Sequence, residues 1–378
     1  MNARRDSRSD ILKKIRRVVI KIGSTVVASR TSGVNQSRIR TLSEEFAWLR
    51  GHGIEVIVVT SGAVAAGMGR LGLAERPKTI ELKQAAASVG QSALMRMYEK
   101  SLAKHGIGVG QMLLTSADLS DRRRYLNARN TLNKLIELGV IPIINENDTV
   151  SVEELKFSDN DNLGALVTDL ANADALVILS DVEGLYDKDP ANKDARLIHE
   201  VESITPEIEK MAGGSCSLVG TGGMASKLVA AKKAGARGAA CFIMNGRKAG
   251  NVRALFDGET VGTMMKPGPE SLSSKKHWIA FSMRGKGRIL VDEGAAKAIL
   301  AKGKSLLPSG IKAAEGRFDA GDAVEICRED GTPIARGLIH YGRDEVERIK
   351  GCKSADIEKL LGYKYCDEVI HRDDLVVM

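Results

Sequence analysis

Aromatic residues are scarce in this sequence, and it contains no long apolar run. Only 4% of the 378 residues are Phe, Trp or Tyr, which argues against a surface on which successive nucleic-acid bases stack. No apolar run approaches the roughly 20 residues of a membrane-spanning helix. The basic start MNARRDSRSDILKKIRR has no apolar segment of the secretory type. We therefore predict a cytoplasmic protein with no membrane partner, in which residues 1–16 form a ragged basic extension.

Cysteine patterns and two common nucleotide-binding motifs are also missing. The five cysteines are scattered and contain no Cys-x-x-Cys pair, which predicts reduced thiols and argues against disulfides or a zinc site. The sequence has no Gly-x-x-x-x-Gly-Lys-Ser/Thr motif, which excludes a P-loop enzyme. No Gly-x-Gly-x-x-Gly follows the first apolar run, so dinucleotide binding has little support.

Apolar runs alternate with helical patterns up to residue 265, which predicts repeated strand–helix units. The fold class we predict is α/β, an open and mostly parallel sheet sandwiched by helices. The predicted strands are Val18–Ile22, Glu55–Thr60, Gly108–Leu114, Val140–Asn145, Ala175–Ser180 and Ala239–Met244. The predicted helices are Arg38–His52, Leu82–His105, Arg124–Leu138, Leu163–Ala171 and Met224–Ala234. An antiparallel excursion is expected at Thr149–Lys156.

The pattern changes at Pro267-Gly268-Pro269, where short strands and glycine turns begin. We predict two domains, 17–266 and 276–378, the second a small β-rich, barrel-like module. Its predicted strands and helix are Trp278–Met283, Gly287–Val291, Ala323–Cys327, Pro333–Ile339 and the helix Glu293–Ala301. Residues 271–312 carry nine Lys and Arg against two Asp and Glu, whereas 313–378 carry ten against fifteen. The module is therefore polarised but nearly neutral, which makes RNA possible but not expected as the main partner.

The stretch Ile143–Leu163 is the most informative part of the sequence, because ten of its residues are Asp, Glu or Asn. Its first polar cluster, Asn145-Glu146-Asn147-Asp148, directly follows a predicted buried strand. Ligands of open parallel sheets bind beyond the carboxyl ends of strands. The two clusters are therefore candidates for holding a zwitterionic small molecule and a metal–nucleotide. The alternative is a pair of ordinary polar turns and helix caps.

Two motifs follow the first two strands. Lys21 lies inside an apolar strand, where its charge resists burial, and the Gly23-Ser24-Thr25 turn beside it suits phosphate oxygens. The alternative is a lysine on an edge strand. After the second strand, Ser61-Gly62 stands where a helix begins, and the free N–H groups there suit a carboxylate. A plain serine N-cap is equally compatible with that pattern.

Two later motifs carry features of phosphate binding. Ser180-Asp181 ends a predicted strand, and Thr221-Gly222-Gly223 precedes a helix that begins near Met224. The two glycines allow the backbone to approach a ligand closely, and Lys227 lies about one turn into the helix. We expect Lys227 to reach phosphates bound at that helix end. The alternative is a glycine-rich loop before a surface helix.

Taken together and in order, these motifs resemble the glutamate 5-kinases, a branch of the amino acid kinase superfamily. The resemblance covers residues 17 to about 265, and the region from about 275 resembles a PUA domain. Tyr125-Leu126-Asn127-Ala128-Arg129-Asn130-Thr131 also fits the family. Ser180 stands where many relatives have Thr, a change that keeps the hydroxyl.

The resemblance implies phosphorylation of the L-glutamate side-chain carboxylate by ATP and Mg²⁺, the first step of proline biosynthesis. It implies L-proline as inhibitor, a homo-oligomer (dimer or tetramer), and handover of the acyl phosphate to glutamate-5-semialdehyde dehydrogenase. Such a carboxylate is already ionised at neutral pH, so the reaction needs no general base. It needs charge neutralisation and in-line alignment instead.

The resemblance also implies a role for each candidate residue. Lys21 and Lys227 neutralise the transferred phosphoryl group, and Asp161 orients them and meets magnesium. The residues implied in glutamate binding are Ser61, Asp148 and Asn160. The residues implied in ATP binding are Lys21, Ser180, Asp181, Thr221, Gly222, Gly223, Met224, Ala225, Ser226 and Lys227. The sequence assigns no metal ligands.

Three groups of alternatives stay open at this stage. The first group consists of other kinases of the superfamily: acetylglutamate kinase, aspartokinase, uridylate kinase and carbamate kinase. The PUA-like module and the Ile-Asn-Glu-Asn-Asp string argue against these four. An RNA-binding or RNA-modifying protein is the second alternative, since PUA-like modules serve RNA enzymes. A catalytically inactive regulatory protein is the third, disfavoured because both lysines and both polar clusters are intact.

Overall fold

A computed structural model describes residues 7–29, 33–150, 160–213, 223–268, 276, 278–283 and 285–378. The chain divides into two compact units, Met1–Ser271 and Leu272–Met378. In the described part of the chain, no helix is both long and apolar enough to cross a membrane. The four described cysteines, Cys241, Cys327, Cys352 and Cys366, are free thiols.

The first unit is built on an eight-stranded sheet, which confirms the predicted fold class. The order of strands across the sheet is β10-β12-β11-β7-β1-β4-β6-β5, and every pairing is parallel except that of β11 with β12. Two hairpins, β2–β3 and β8–β9, lie outside it. The strands are β1 Arg17–Ile22, β2 Ala28–Ser29, β3 Gly33–Val34, β4 Glu55–Val59, β5 Val109–Leu114, β6 Ile141–Glu146, β7 Ala175–Ser180, β8 Leu185–Tyr186, β9 Leu197–Ile198, β10 Glu200–Val201, β11 Ala240–Asn245 and β12 Thr263–Met265.

Eleven described helices accompany these strands. The helices are α1 Arg8–Lys14, α2 Ser24–Val27, α3 Gln36–Gly51, α4 Ala63–Leu71, α5 Ile80–Leu102, α6 Ser116–Ser120, α7 Arg122–Glu137, α8 Asn160–Leu170, α9 Pro206–Met211, α10 Met224–Ala236 and α11 Asn251–Phe256. A 3₁₀ turn, Ala103–His105, follows α5. The predicted strands and helices of this unit are therefore confirmed to within a few residues at each end.

The central strands are buried on both faces, as the continuous apolar runs predicted. All six residues of β7 are buried, and five of the six in β1 are. Val18, Ile20 and Ile22 of β1 belong to one hydrophobic core with Phe46 of α3 and other residues. Helices that cover both faces of a parallel sheet explain why its strands show no polar alternation.

The N-terminal segment is more ordered than predicted. A ragged extension was expected up to residue 16, but Arg8–Lys14 is a helix with Ser7 and Asp10 forming a capping box. Ile11 and Leu12 are buried in the core of the first unit. This correction has a simple cause: two apolar residues within a basic stretch suffice to anchor a helix of about two turns. Most of the antiparallel excursion predicted at Thr149–Lys156 lies outside the described residues.

Helices α4 and α5 cross at very short range because both carry glycine at the crossing. A Cβ added to Gly90 would lie 1.8 Å from the carbonyl oxygen of Ala63, and one added to Gly67 would lie 1.8 Å from that of Ala86. Either oxygen belongs to backbone, which cannot swing aside as a flexible side chain can. The crossing therefore fixes the position of α4, whose first residue follows the Ser61-Gly62 motif.

We expect Gly90→Ala to destabilise the first unit by about 2 kcal/mol or more, since overpacking of this kind forces backbone shifts. Chemical denaturation followed by circular dichroism measures the change. Gly51→Ala is the matched control, because a Cβ there meets nothing within 4 Å. Equal unfolding midpoints for the two variants would show that α4 and α5 can separate without cost.

The second unit contains a five-stranded mixed sheet, which confirms its β-rich character. The strand order is β14-β13-β15-β16-β17, in which only β13 and β15 pair in parallel. The strands are β13 Gly285–Val291, β14 Ile311–Gly316, β15 Ala323–Arg328, β16 Pro333–Leu338 and β17 Leu375–Val377. The helices are α12 Glu293–Lys302, α13 Arg343–Ile349 and α14 Ile357–Leu361, with 3₁₀ turns at Pro308–Gly310, Ser354–Asp356 and Arg372–Asp374. Strands β14 and β17 and helices α13 and α14 were not predicted.

One predicted strand of this unit is wrong. Trp278–Met283 was expected to be extended, but Trp278–Ser282 forms a π-helical turn. The guanidinium of Arg336 donates to the carbonyl oxygens of Ala280 and Met283 at 2.9 and 3.2 Å. A short apolar run does not by itself distinguish strand from helix, and here a distant arginine favours the turn.

Candidate active site

The polar motifs singled out from the sequence meet at one edge of the large sheet. Strands β1, β4, β6 and β7 are mutually parallel, so their carboxyl ends lie at the same edge. Gly23, Thr60, Asn147 and Asp181 each directly follow one of these strands. This is the edge at which open α/β sheets bind ligands, so the predicted site residues share the edge expected for a ligand site.

Lys21 is buried because it occupies the second-last position of the central strand β1. Its side chain points away from the core that holds Ile20 and Ile22 and lies beneath α8. A Cβ added to Gly164 of α8 would lie 3.2 Å from the Cβ of Lys21 and 3.4 Å from its Cγ. Glycine at this position thus allows α8 to cross the lysine's aliphatic stem. The ammonium group then lies at the end of the strand, beside the Gly23–Thr25 turn.

Asp161 joins two lysines in what we call the lysine–aspartate cluster: Lys21, Asp161, Ser226 and Lys227. One carboxylate oxygen of Asp161 pairs with the ammonium of Lys21. The other accepts from Lys227 Nζ at 3.0 Å and from Ser226 Oγ at 3.1 Å. Lys21, Asp161 and Lys227 are 4%, 0% and 8% exposed. Buried charges of this kind persist only when they are paired.

The cluster carries one positive charge in excess, since two ammonium groups face one carboxylate. Lys227 also donates to the carbonyl oxygen of Gly223 at 3.2 Å, and Gly223 is the N-cap residue that precedes α10. This contact holds its ammonium near the N-terminus of the helix, which is itself an anion-binding end. Burial and the negative charge of Asp161 raise the pKa of the Cys241 thiol on β11, so this cysteine stays neutral and is no nucleophile at neutral pH.

A cavity of about 450 Å³ opens beside the lysine–aspartate cluster. Its volume lies within the usual range of small-molecule sites. The wall combines both lysines with the Gly23–Thr25 turn, Ser180 and Asp181 at the end of β7, and apolar side chains. The remaining residues of its wall are Val182, Gly184, Leu185, Tyr186, Lys188, Pro190, Met211, Gly223 and Met224. A wall that combines cations, hydroxyl groups and apolar side chains suits a molecule that carries both phosphate and apolar groups.

A second set of contacts, the amide network, consists of Ser61, Gln91, Asn145 and Asn160. Asn160 is the first residue of α8 and precedes Asp161. Its Nδ2 lies 2.7 Å from Ser61 Oγ, 2.8 Å from the carbonyl oxygen of Thr60 and 3.2 Å from Asn145 Oδ1. Asn145 Nδ2 donates to Gln91 Oε1 at 3.0 Å. The network thus joins the ends of β4 and β6 to the start of α8.

The helix that follows Ser61 contributes free backbone donors at the same place. Its N-cap residue is Gly62, with φ at 109°, a left-handed conformation that glycine adopts readily. Glycine has no side chain to accept from the first-turn N–H groups of α4, so no N-cap side chain competes with an anion there. Ser61 itself does not cap the helix, because its hydroxyl faces Asn160. The plain N-cap alternative is wrong.

Comparison with known proteins identifies the family. The profile described as the amino acid kinase family matches residues 16–245, well over half of the chain. The chain belongs to the amino acid kinase family. A second profile, the PUA domain, matches residues 287–361, within the second unit.

Among amino acid kinases the chain belongs with the glutamate 5-kinases. The glutamate 5-kinase of Geobacter metallireducens is 56% identical over 372 residues, covering 98% of this chain and 100% of that protein. That of Syntrophotalea carbinolica is 54% identical over 371 residues, covering 98% and 99%. A UMP kinase structure from Bacillus anthracis aligns over 68% of this chain and 98% of its own, with 19% identity and a TM-score of 0.47.

The structure of this amino acid kinase brings together most of the residues predicted for the site. Lys21, Asp161, Ser226 and Lys227 form one cluster, and Ser61 bonds to Asn160. Ser180 donates to the neighbouring Asp181 at 3.2 Å. Asp148 lies half-buried in the turn after β6. Met224 and Ala225 begin α10, whereas Thr221 and Gly222 lie outside the described residues.

Gln91 was missed in the sequence analysis, and Asn145 was quoted within a motif without a role. Tyr98 was also missed; its hydroxyl lies 2.8 Å from Thr60 Oγ1. Gln91 and Tyr98 are buried positions of α5 among Ala87, Leu94 and other apolar residues. A glutamine on the apolar face of a helix was the available signal, because burying an amide is costly unless it forms hydrogen bonds.

Proposed function

We propose that this amino acid kinase transfers the γ-phosphoryl group of ATP to the side-chain carboxylate of L-glutamate, giving L-glutamyl 5-phosphate and ADP. This is the first step of proline biosynthesis. The observation that carries the proposal is the lysine–aspartate cluster, which lies beside a nucleotide-sized cavity and is continuous through α8 with the amide network. The glutamate 5-kinases that match the whole chain support the choice of substrate.

The proposed chemistry needs charge neutralisation more than proton transfer. A glutamate side chain, with a pKa of about 4.3 in model peptides, is ionised at neutral pH. The nucleophile is therefore already an anion and must approach an anionic phosphate. Lys21 and Lys227 lower this repulsion and stabilise the charge on the transferred group, as in other phosphoryl transfers. Asp161 positions both ammonium groups and prevents them from repelling each other.

Mg²⁺ is proposed to enter with the phosphates of ATP. Among the described residues, no group of three or more His, Cys, Asp and Glu could hold a metal ion. Both carboxylate oxygens of Asp161 face ammonium groups, so this residue suits the role of organising lysines better than that of a metal ligand. Mg²⁺ commonly keeps several waters and binds through substrate phosphates with one or two protein carboxylates.

At the glutamate end, Ser61, Asp148 and Asn160 are the proposed contacts. The N-terminus of α4 suits the α-carboxylate, because its N–H groups have no capping side chain. Asp148 suits the α-ammonium, since a carboxylate beside an ammonium forms a charge-assisted hydrogen bond. Asn160 is adjacent in sequence to Asp161, so it places the substrate next to the lysines.

We expect Asp148→Ala to raise the KM for L-glutamate by about tenfold or more, because a hydrogen bond between charged groups contributes about 1.5–3 kcal/mol. Turnover at saturating glutamate and the KM for ATP should change little. Steady-state kinetics with each substrate varied measures the three constants. Glu99→Ala, on the exposed side of α5, is the control. An unchanged glutamate KM would remove Asp148 from the substrate site.

Further partners follow from the same family resemblance. We propose L-proline as an inhibitor that competes near the glutamate end of the site, and a dimer or tetramer as the assembled form. We also propose that the acyl phosphate passes to glutamate-5-semialdehyde dehydrogenase, because such anhydrides hydrolyse or cyclise readily in water. The cytoplasm is the proposed location.

A substrate panel tests the proposed function. ADP release is measured with ATP, Mg²⁺ and, in turn, L-glutamate, N-acetyl-L-glutamate, L-aspartate and UMP, each with and without L-proline. We expect release with L-glutamate alone and its suppression by proline. ADP release with another acceptor would support a phosphotransferase whose substrate is that acceptor and not L-glutamate. Folded protein that binds ATP but releases ADP with none of the four would contradict the proposal.

A further inference from the structure

We infer that Gln91 is a positioning residue for the amino acid substrate: it fixes the orientation of Asn145, which together with Ser61 and Thr60 holds the amide of Asn160 in place. The result is that Asn160 presents its carbonyl oxygen, an acceptor, to the substrate's α-ammonium group. The inference rests on the proposed function, because it concerns how the same site selects an α-amino acid.

The side chain of Gln91 is buried, and its oxygen and nitrogen differ in their hydrogen bonding. It is 8% exposed and lies on the face of α5 that packs into the first unit, next to Gly90. Its Oε1 accepts from Asn145 Nδ2 at 3.0 Å. Its Nε2 is buried and has no hydrogen-bond partner among the described residues. A buried donor without a partner costs free energy, so the favourable contact of this side chain is the one that its oxygen makes.

The amide network has a direction, because each primary amide has one accepting oxygen and one donating NH₂ group. With Gln91 Oε1 facing it, Asn145 points its NH₂ at Gln91 and its oxygen at Asn160. Asn160 then points its NH₂ into the network, towards Asn145 Oδ1, Ser61 Oγ and the carbonyl oxygen of Thr60. Its own Oδ1 points away from these acceptors, and we infer that it receives the substrate's donor.

Replacing Gln91 by a residue without an acceptor would remove one of the contacts that hold this arrangement. Asn145 Nδ2 would lose its acceptor, and among the described residues the Asn145 side chain would keep only its 3.2 Å contact with Asn160. Asn160 would still donate to the carbonyl oxygen of Thr60, but the side chain packed beside it would no longer be fixed. An ammonium group offers only donors, so a less well-placed Asn160 oxygen would bind it less tightly.

The test compares Gln91→Leu with Gln91→Glu, because leucine removes the acceptor whereas glutamate keeps an oxygen at the same reach. We expect Gln91→Leu to raise the KM for L-glutamate about tenfold, because one buried hydrogen bond is lost. Turnover and the KM for ATP should stay within about threefold of the wild-type values. Gln91→Glu should recover most of the loss. Ser92→Ala, at an exposed position of the same helix, is the control.

Two further measurements separate positioning from general damage. Glutarate lacks the α-ammonium, so its kcat/KM should be the same in wild type and Gln91→Leu, and the preference for glutamate over glutarate should fall about tenfold. In an Asn145→Ala background, Gln91→Leu should have no additional effect on the glutamate KM, since the two residues act in series.

Three outcomes would overturn the inference or its basis. A glutamate KM within twofold of wild type in folded Gln91→Leu would show that Gln91 does not orient the site. An equal loss with glutamate and glutarate would indicate a structural role alone. Wild-type protein that turns over ATP with neither substrate would instead refute the proposed function, a result that the wild-type assay shows before any variant is compared.

Discussion

Replacing Lys227 by methionine is expected to lower turnover by roughly a thousandfold, the effect of losing one preorganised donor to a developing charge. The KM for L-glutamate should change by less than about threefold, because the ammonium acts on the transferred phosphoryl group and not on the bound amino acid. Methionine keeps most of the aliphatic stem that packs within α10, so the loss reports the charge. Steady-state kinetics in ATP and in glutamate measures both constants.

Lys232→Met is the matched control for this variant. Lys232 lies on the same helix, but its side chain is 47% exposed and pairs with Glu209 instead of Asp161. Its replacement should leave both constants near the wild-type values. A Lys227→Met enzyme with intact turnover and a raised KM for ATP would make Lys227 a ground-state binding residue, and the proposed role in the transition state would be wrong.

The second large effect is expected for Asp161→Asn, which removes the only carboxylate of the lysine–aspartate cluster. Two buried ammonium groups would then face each other without their shared counter-charge. Breaking a buried ion pair by deleting one partner typically costs about 3–5 kcal/mol, so the first unit should unfold at lower denaturant. Turnover of the folded fraction should fall by at least about a hundredfold, because neither lysine keeps its position.

An exposed aspartate provides the comparison. Asp257 pairs with Arg253 at 3.5 Å on the surface of α11 and is 48% exposed, and such pairs contribute about 1 kcal/mol or less. Asp257→Asn should therefore leave stability and turnover nearly unchanged. In addition, Asp161→Asn combined with Lys227→Met should lose less than the product of the single losses, because the two residues act as a unit. Full additivity would show that they act independently.

Sequence patterns were sufficient to predict the large sheet and many of the polar residues that meet at its candidate site. Uninterrupted apolar runs of strand length, separated by helical patterns, leave few alternatives to a parallel sheet. Once the strands are in place, residues that follow them must converge. Lys21 and Asp161 are 140 positions apart in the chain, yet their meeting follows from β1 being central and α8 beginning at its carboxyl end.

Other features could not be predicted because they depend on contacts between distant segments. The sequence shows Gln91 as a polar residue on an apolar helix face, but its partner Asn145 is 54 residues away and is brought to it only by the fold. The turn at Trp278–Ser282 depends on Arg336, more than fifty residues later. Helix α1 forms because Ile11 and Leu12 are buried in the core of the first unit. The local composition, dominated by Lys and Arg, does not indicate this burial. In each case tertiary packing overrides the local pattern.

The central claim is that the acceptor atom is the side-chain carboxylate of L-glutamate, and trapping the product tests it most directly. The protein is incubated with ATP, Mg²⁺, L-glutamate and hydroxylamine, and the hydroxamate formed is identified by chromatography and mass spectrometry against the α- and γ-isomers. The account predicts ATP-dependent γ-glutamyl hydroxamate that disappears in Lys227→Met. Formation of the α-isomer, or ADP release without any hydroxamate, would contradict it.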